Sequence, residues 1–222
     1  MNIKKNQIIF FQNNLLKWYR KNKRIFPWRK KGLSNYKLVI AEVLLQRTKA
    51  ETISKFYPIF ISNYPSWKSI ANSSVIELEV SLKPIGLYKQ RAKRLSDLAK
   101  EMVRRNGRFP KKRKELESIP FLGQYIANAI LLMIHNKHKP LLDVNMARVL
   151  ERFFGKRKKA DIRYDKYLQE LAQKIVNHPS SLEINWGILD FAQLVCKKRN
   201  HVCELCCIKK ECLKNWNKVN HD

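Results

Sequence analysis

Apolar residues recur at intervals of three and four along most of this 222-residue chain, and strict alternation is rare. The first such stretch, within residues 1–23, puts Phe10, Phe11, Leu15, Trp18 and Tyr19 on one face of an amphipathic helix. The pattern predicts a second helix over 35–48, with Leu38, Val39, Val43 and Leu44 inward. Further helices are predicted over 50–64, 74–82, 89–105, 113–119, 124–134, 144–154, 165–176 and 186–195. Pro65, Pro84, Gly86, Gly107, Pro110, Pro120 and Gly123 fall in the short connectors, where the chain must turn. With six glycines, no internal repeat and no long linker, the pattern predicts an all-α protein packed as one compact helical unit.

Composition adds a core and a partner. Hydrophobic residues make up 45%, with five Trp and ten Phe, so the chain folds and is not a disordered basic tail. Lys and Arg total 46 against 18 Asp and Glu, a net charge of +28. Such self-repulsion is tolerable when the working partner is a polyanion, nucleic acid first and an anionic membrane second. No apolar run approaches the ~20 residues of a spanning helix. The patch Ile8 to Phe11 is broken by Gln12, Asn13 and Asn14, unlike the core of a signal peptide. These features predict an intracellular protein (cytoplasm or nucleoid in a prokaryote) with no membrane partner. Any single basic cluster, at 111–114, 156–159 or 197–199, reads as a solvated face.

Cysteines in that compartment point to metal ligation or chemistry more than to disulfides. Cys196, Cys203, Cys206 and Cys212 have the spacing C-x6-C-x2-C-x5-C, and four thiolates so close can wrap one tetrahedral centre. A [4Fe–4S] cluster and Zn²⁺ both suit all-thiolate ligation, and spacing alone does not separate them. Cys207 can replace Cys206 in principle, but only Cys206 gives this spacing. The spacing resembles the terminal iron–sulfur loop of the endonuclease III and MutY group of DNA glycosylases, in which the cluster is structural and the basic loop touches the DNA backbone.

Two further segments carry that resemblance. Ile119-Pro120-Phe121-Leu122-Gly123-Gln124-Tyr125 turns one helix into the next, and the free N–H groups of a helix start can hold a phosphate. It resembles the superfamily's helix–hairpin–helix, with Phe121 in place of the first glycine of Leu-Pro-Gly-Val-Gly. Leu142-Asp143-Val144-Asn145-Met146-Ala147-Arg148-Val149 puts a carboxylate between apolar residues at a predicted helix start, where an N-cap is the plain reading. It resembles the family's Val-Asp-x-x-x-x-Arg-Val, whose aspartate does the glycosidic chemistry. Breaking an N-glycosidic bond develops positive charge on the sugar, which a fixed carboxylate stabilises after the base is flipped out. At the position of Tyr125, relatives resembling endonuclease III carry the lysine that forms a Schiff base and cuts the strand. A tyrosine there resembles the Mig-type thymine-DNA mismatch glycosylases, and implies base release that leaves an abasic site. Read alone, Tyr125 is equally a helix-surface aromatic.

Ala41-Glu42-Val43-Leu44-Leu45-Gln46-Arg47-Thr48 resembles the stretch in which MutY protonates the leaving adenine through its glutamate; a solvent-exposed Glu42 is the plain alternative. Gln46 and Arg47 align with side chains that fill the gap left by the flipped base, Arg47 being the Mig-like choice. Ile85-Gly86-Leu87-Tyr88-Lys89-Gln90-Arg91-Ala92 resembles the family's Gly-Leu-Tyr turn, so Leu87 or Tyr88 is a candidate wedge. Phe26-Pro27-Trp28-Arg29 resembles the (Leu/Phe)-Pro-Trp-Arg of MutY and Mig proteins.

The resemblance runs from about Phe26 to Cys212. It implies a helical barrel lobe at 30–137, with the hairpin at about 113–134, and a composite lobe of 1–29 and 138–222 carrying the iron–sulfur loop at 196–212. Asp143, Glu42 and Tyr125 become the expected catalytic residues. Gln46, Arg47, Leu87, Tyr88, Gly123 and Gln124 become the expected DNA contacts, and a monomer acting on mismatched duplex DNA is expected. The chain ends ten residues after Cys212, without the 8-oxoguanine-reading domain usual in MutY, which with Tyr125 and Arg47 favours thymine or uracil opposite guanine. Adenine opposite guanine or 8-oxoguanine is the alternative, kept by Glu42. A non-catalytic iron–sulfur DNA-binding protein would explain the charge and the cysteines but would have no use for Asp143.

Overall fold

A computed structural model describes residues 3–214; the terminal residues 1–2 and 215–222 of the expected composite lobe lie outside them. Among the described residues the regular structure is entirely helical. The chain divides into two compact units, one of residues 1–24 and 136–222, the other of 25–135. The family resemblance puts these divisions at 29/30 and 137/138.

The unit of residues 25–135 holds α2 (Asn35–Leu45), α3 (Ala50–Asn63), α4 (Trp67–Asn72), α5 (Val75–Leu82), α6 (Tyr88–Arg104), α7 (Arg113–Glu117) and α8 (Gln124–Met133). α2 packs on α3 and α8, and α6 packs on α4 and α5. Its core is partly aromatic. Phe26 stacks on Trp28 with centroids 4.7 Å apart, Trp28 meets Tyr57 edge-on, and Tyr36 meets Trp67 at 4.9 Å. The Phe-Pro-Trp-Arg segment therefore belongs to this core. α4 is absent from the sequence prediction because six residues are too few to show a period; a reciprocal Ser66/Ser69 capping box starts it.

The other unit holds α1 (Lys5–Asn22), α9 (Val144–Phe154), α10 (Lys166–Val176) and α11 (Ser181–Leu194). Phe11, Leu15 and Tyr19 of α1 are buried as its periodicity predicts, while Phe10 and Trp18 are half-buried against the same core. α1 lies close against α11 at Gly187, where an added Cβ would come within 3.3 Å of Tyr19 Cβ. The chain leaving α1 is tied to α11 by Asp190, fully buried, which accepts from the Arg24 N–H at 3.0 Å and from Arg24 Nε at 2.9 Å.

Three predicted helix limits move by more than one residue. α2 stops at Leu45 and not at 48, because Gln46 and Arg47 turn the chain out of the helix, Arg47 at φ +58°. α7 stops at Glu117, before the hairpin turn. α11 starts at Ser181 and not at 186, because Asn185 sits in its buried face and breaks the apolar pattern that marks a helix.

Candidate active site

In the unit of residues 1–24 and 136–222, the irregular segment that leads into α9 is pinned by Asn185. Its Oδ1 accepts from the Leu141 N–H at 2.7 Å, and its Nδ2 donates to the Lys139 carbonyl at 3.2 Å. Asp143 follows and caps α9. Its Oδ1 accepts from the N–H groups of Asn145 and Met146, at 2.9 and 2.8 Å, and its Oδ2 accepts from Asn145 Nδ2 at 2.7 Å. Asn145 is held in turn: its side-chain oxygen accepts from Arg148 Nη1 and Gln193 Nε2, both at 3.1 Å. Arg148 also donates to the carbonyls of Ala192, at 2.8 Å, and Cys196, at 3.0 Å. The carboxylate is thus fixed in one orientation by donors that are themselves fixed. Burial pushes the Asp143 carboxyl above the ordinary carboxylate range, against the pull of Met146, Asn145 and the charge of Arg148.

The last turn of α9 grips the cysteine loop. Arg152 donates to Cys196 Sγ at 3.3 Å and to the carbonyls of Lys197, at 2.7 Å, and Lys198, at 3.3 Å. Cys196, Cys203, Cys206 and Cys212 all line one small cavity walled by Val149, Phe153, Phe191 and Ile208, and Cys207 does not border it. Among the described residues, no three His, Cys, Asp or Glu side chains form a group able to hold a single metal ion.

The unit of residues 25–135 holds the other expected site residues. Glu42 lies on α2 and is only 5% exposed, so the solvent-exposed reading of it does not hold. Leu44, one of the residues expected to face inward, is buried, and Leu38 is half-buried. Tyr125 and Gln124 form the first turn of α8, both half-buried, with Tyr125 packed against the core. Gly123, the N-cap, is exposed, and an added Cβ there would meet nothing within 4 Å. Backbone at that position is therefore open to close approach.

Three bulky residues of this unit have left-handed backbone: Arg47 at φ +58°, Leu87 at +52° and Phe121 at +69°. Each such residue costs about 1–2 kcal/mol. They sit in the three turns that the sequence assigned to DNA contact. Phe121 takes up the left-handed conformation that a glycine would adopt freely, and its ring lies 5.1 Å from the Arg94 guanidinium. Leu87 is half exposed at the start of α6, with Tyr88 next to it as the first helical residue.

Sequence reasoning missed the residues that do the holding: Asn145, Gln193 and Asn185 around Asp143, and Arg91 beside the turn of Arg47. Asn145 and Arg148 lie inside the aspartate signature, which was the available signal. Gln193, Asn185 and Arg91 reach their partners across 43 to 48 residues, and nothing local marks them.

A family model described as HhH-GPD superfamily base excision DNA repair protein matches residues 40–178, well over half of the chain. The chain belongs to that superfamily. The matched region takes in Glu42, the hairpin and Asp143. The chain is similar to a thymine/uracil-DNA glycosylase of Pyrobaculum aerophilum, 39% identical over 201 residues, covering 88% of this chain and 87% of that protein. An adenine DNA glycosylase of Buchnera aphidicola subsp. Schizaphis graminum is 32% identical, covering 94% of this chain and 62% of that protein. The solved structure of a thermostable thymine-DNA glycosylase matches with a TM-score of 0.88 at 30% identity, covering 96% of this chain and 98% of that one. As a base excision glycosylase, the protein has DNA as its partner. Among the described residues no helix is long and apolar enough to cross a membrane.

Proposed function

We propose that the protein is a monofunctional glycosylase that hydrolyses the N-glycosidic bond of thymine or uracil opposite guanine in duplex DNA. The observation that carries the reaction is Asp143, a carboxylate locked by Asn145 and the α9 amides. Fixed in that way, it stabilises the positive charge that develops on the sugar and orients the water that attacks the anomeric carbon; the base departs and an abasic site remains. Tyr125 supports the monofunctional reading, since a phenol has no amine to form an imine with the sugar. The 39% identity to a thymine/uracil-DNA glycosylase supports the choice of base. Arg47 and Leu87, strained and exposed at their turns, suit the filling of a vacated stack, with Gln46 and Tyr88 beside them. Gly123 and Gln124 suit a phosphate at the start of α8.

One observation favours a second reading. Glu42 is buried on α2, as a proton donor to a leaving adenine would be, and an adenine DNA glycosylase is among the relatives.

The donor set of the cysteine loop fits a [4Fe–4S] cluster. Four thiols share one apolar-walled cavity and the fifth stands aside. Cys196, Cys203, Cys206 and Cys212 would hold the cluster, whose contribution when bound is structural.

Asp143→Asn tests the central assignment. The variant is expected to bind a G:T duplex as the wild type does and to release base at a rate lower by roughly 10²–10³ or more. Unchanged release would remove Asp143 from the chemistry.

A further inference from the structure

Arg91 lies one turn into α6, buried, and no part of the reaction described above uses it. Its guanidinium donates to the Leu44 carbonyl at 2.8 Å, to the Gln46 carbonyl at 2.6 Å and to Thr48 Oγ1 at 2.6 Å. The last two partners flank Arg47 on either side. The same residue's backbone N–H donates to the Leu87 carbonyl at 2.9 Å. That main-chain bond is the ordinary first bond of α6, so what is particular to Arg91 is its side chain, which ties the Arg47 turn to the helix turn that Leu87 caps. Left-handed Arg and Leu persist only where the surroundings over-determine them. At the end of α2 the carbonyls have no helical partner, and a buried planar fork with several donors is the group that can satisfy two of them and a hydroxyl at once. Arg94, one turn further along α6, faces the ring of the third strained residue, Phe121.

We propose that Arg91 is a positioning residue for base extrusion: it locks the Arg47 turn to the Leu87 turn, so that the plug and the wedge enter the duplex as one rigid piece. The inference rests on the proposed extrusion roles of Arg47 and Leu87. It gives α6 a task beyond packing, since the helix start that presents the wedge also fixes the plug.

The test uses a duplex with 2-aminopurine beside the target thymine, whose fluorescence rises as the target leaves the stack. It is run in the Asp143→Asn background, so that binding proceeds without turnover. Arg91→Lys keeps the charge but loses the fork, and Thr48→Val removes one bond at constant shape. The fluorescence response should fall strongly in the first and partly in the second. In the otherwise wild-type chain, Arg91→Lys should slow single-turnover release from G:T by roughly tenfold. Release from a bulged thymine with no opposing base, which leaves no gap to fill, should slow much less. Equal losses on both substrates with an unchanged fluorescence response would overturn the proposal and leave Arg91 a packing residue. If the wild type releases no base from any duplex while the fluorescence still depends on Arg91, the glycosylase reading fails and the positioning role stands.

Discussion

At Asp143, burial opposes ionisation while the amides of α9, the Asn145 side chain and the charge of Arg148 favour it, and burial prevails. The folded carboxyl thus titrates above its unfolded value. The stability it contributes is fully present below the unfolded value and is lost as pH rises through the folded one. Asn retains an oxygen able to cap α9 but sets an amide donor against Asn145 Nδ2, so Asp143→Asn loses one bond at every pH, while its stability relative to the wild type should rise with pH. Base release needs the carboxylate, so wild-type activity should fall as pH drops through the same value. Melting temperatures and single-turnover rates across pH should share one midpoint. A variant whose stability relative to the wild type falls as pH rises would contradict this account. The aspartate itself was legible, because an acid between Leu142 and Val144 needs a task or a cap. Its rise in pKa was not, because that depends on what α9 and α11 bring around it.

At the hairpin, Phe121 takes the left-handed backbone in the turn between α7 and α8, where the family pattern has a glycine. Gly123 matters differently. Its φ is −69°, which any residue adopts, and a methyl group there meets no neighbour. Gly123→Ala should therefore leave thermal stability within about 0.5 kcal/mol. Duplex affinity should weaken by roughly tenfold, equally for matched and mismatched DNA, if phosphate approaches that backbone. Binding titrations on both duplexes check this, and unchanged affinity would remove the phosphate from this turn. α9 was read from its periodicity at its observed limits, since a clean apolar stripe starts at a capping residue. The end of α2 was not, because Arg91, distant in sequence, takes the carbonyls that would otherwise continue the helix. α11 was read short because its buried Asn185 serves the segment before Asp143 and breaks the stripe.

Across the whole molecule, the cysteine spacing and the +28 charge are visible from composition and order alone; the charge points to a polyanion, and the spacing leads to DNA through its resemblance to the glycosylase iron–sulfur loop. Spacing favours Cys206 over Cys207, and in the folded chain Cys207 stands outside the cavity that the other four line. Protein purified without oxygen should be brown and carry about four irons per chain. Cys207→Ala should keep the iron, and Cys203→Ala or Cys212→Ala should lose it, as iron analysis and visible absorption will read; bound zinc in colourless protein would contradict the cluster. The claim on which the rest depends is the reaction itself, and it is tested most directly by a single-turnover panel of duplexes bearing G:T, G:U, A:G and A:8-oxoguanine, scored for free base, abasic sites and borohydride-trapped protein. The account predicts free thymine and uracil from the first two, strands cut only after alkali, and no trapped adduct; release of adenine alone, or a trapped covalent complex, would contradict it.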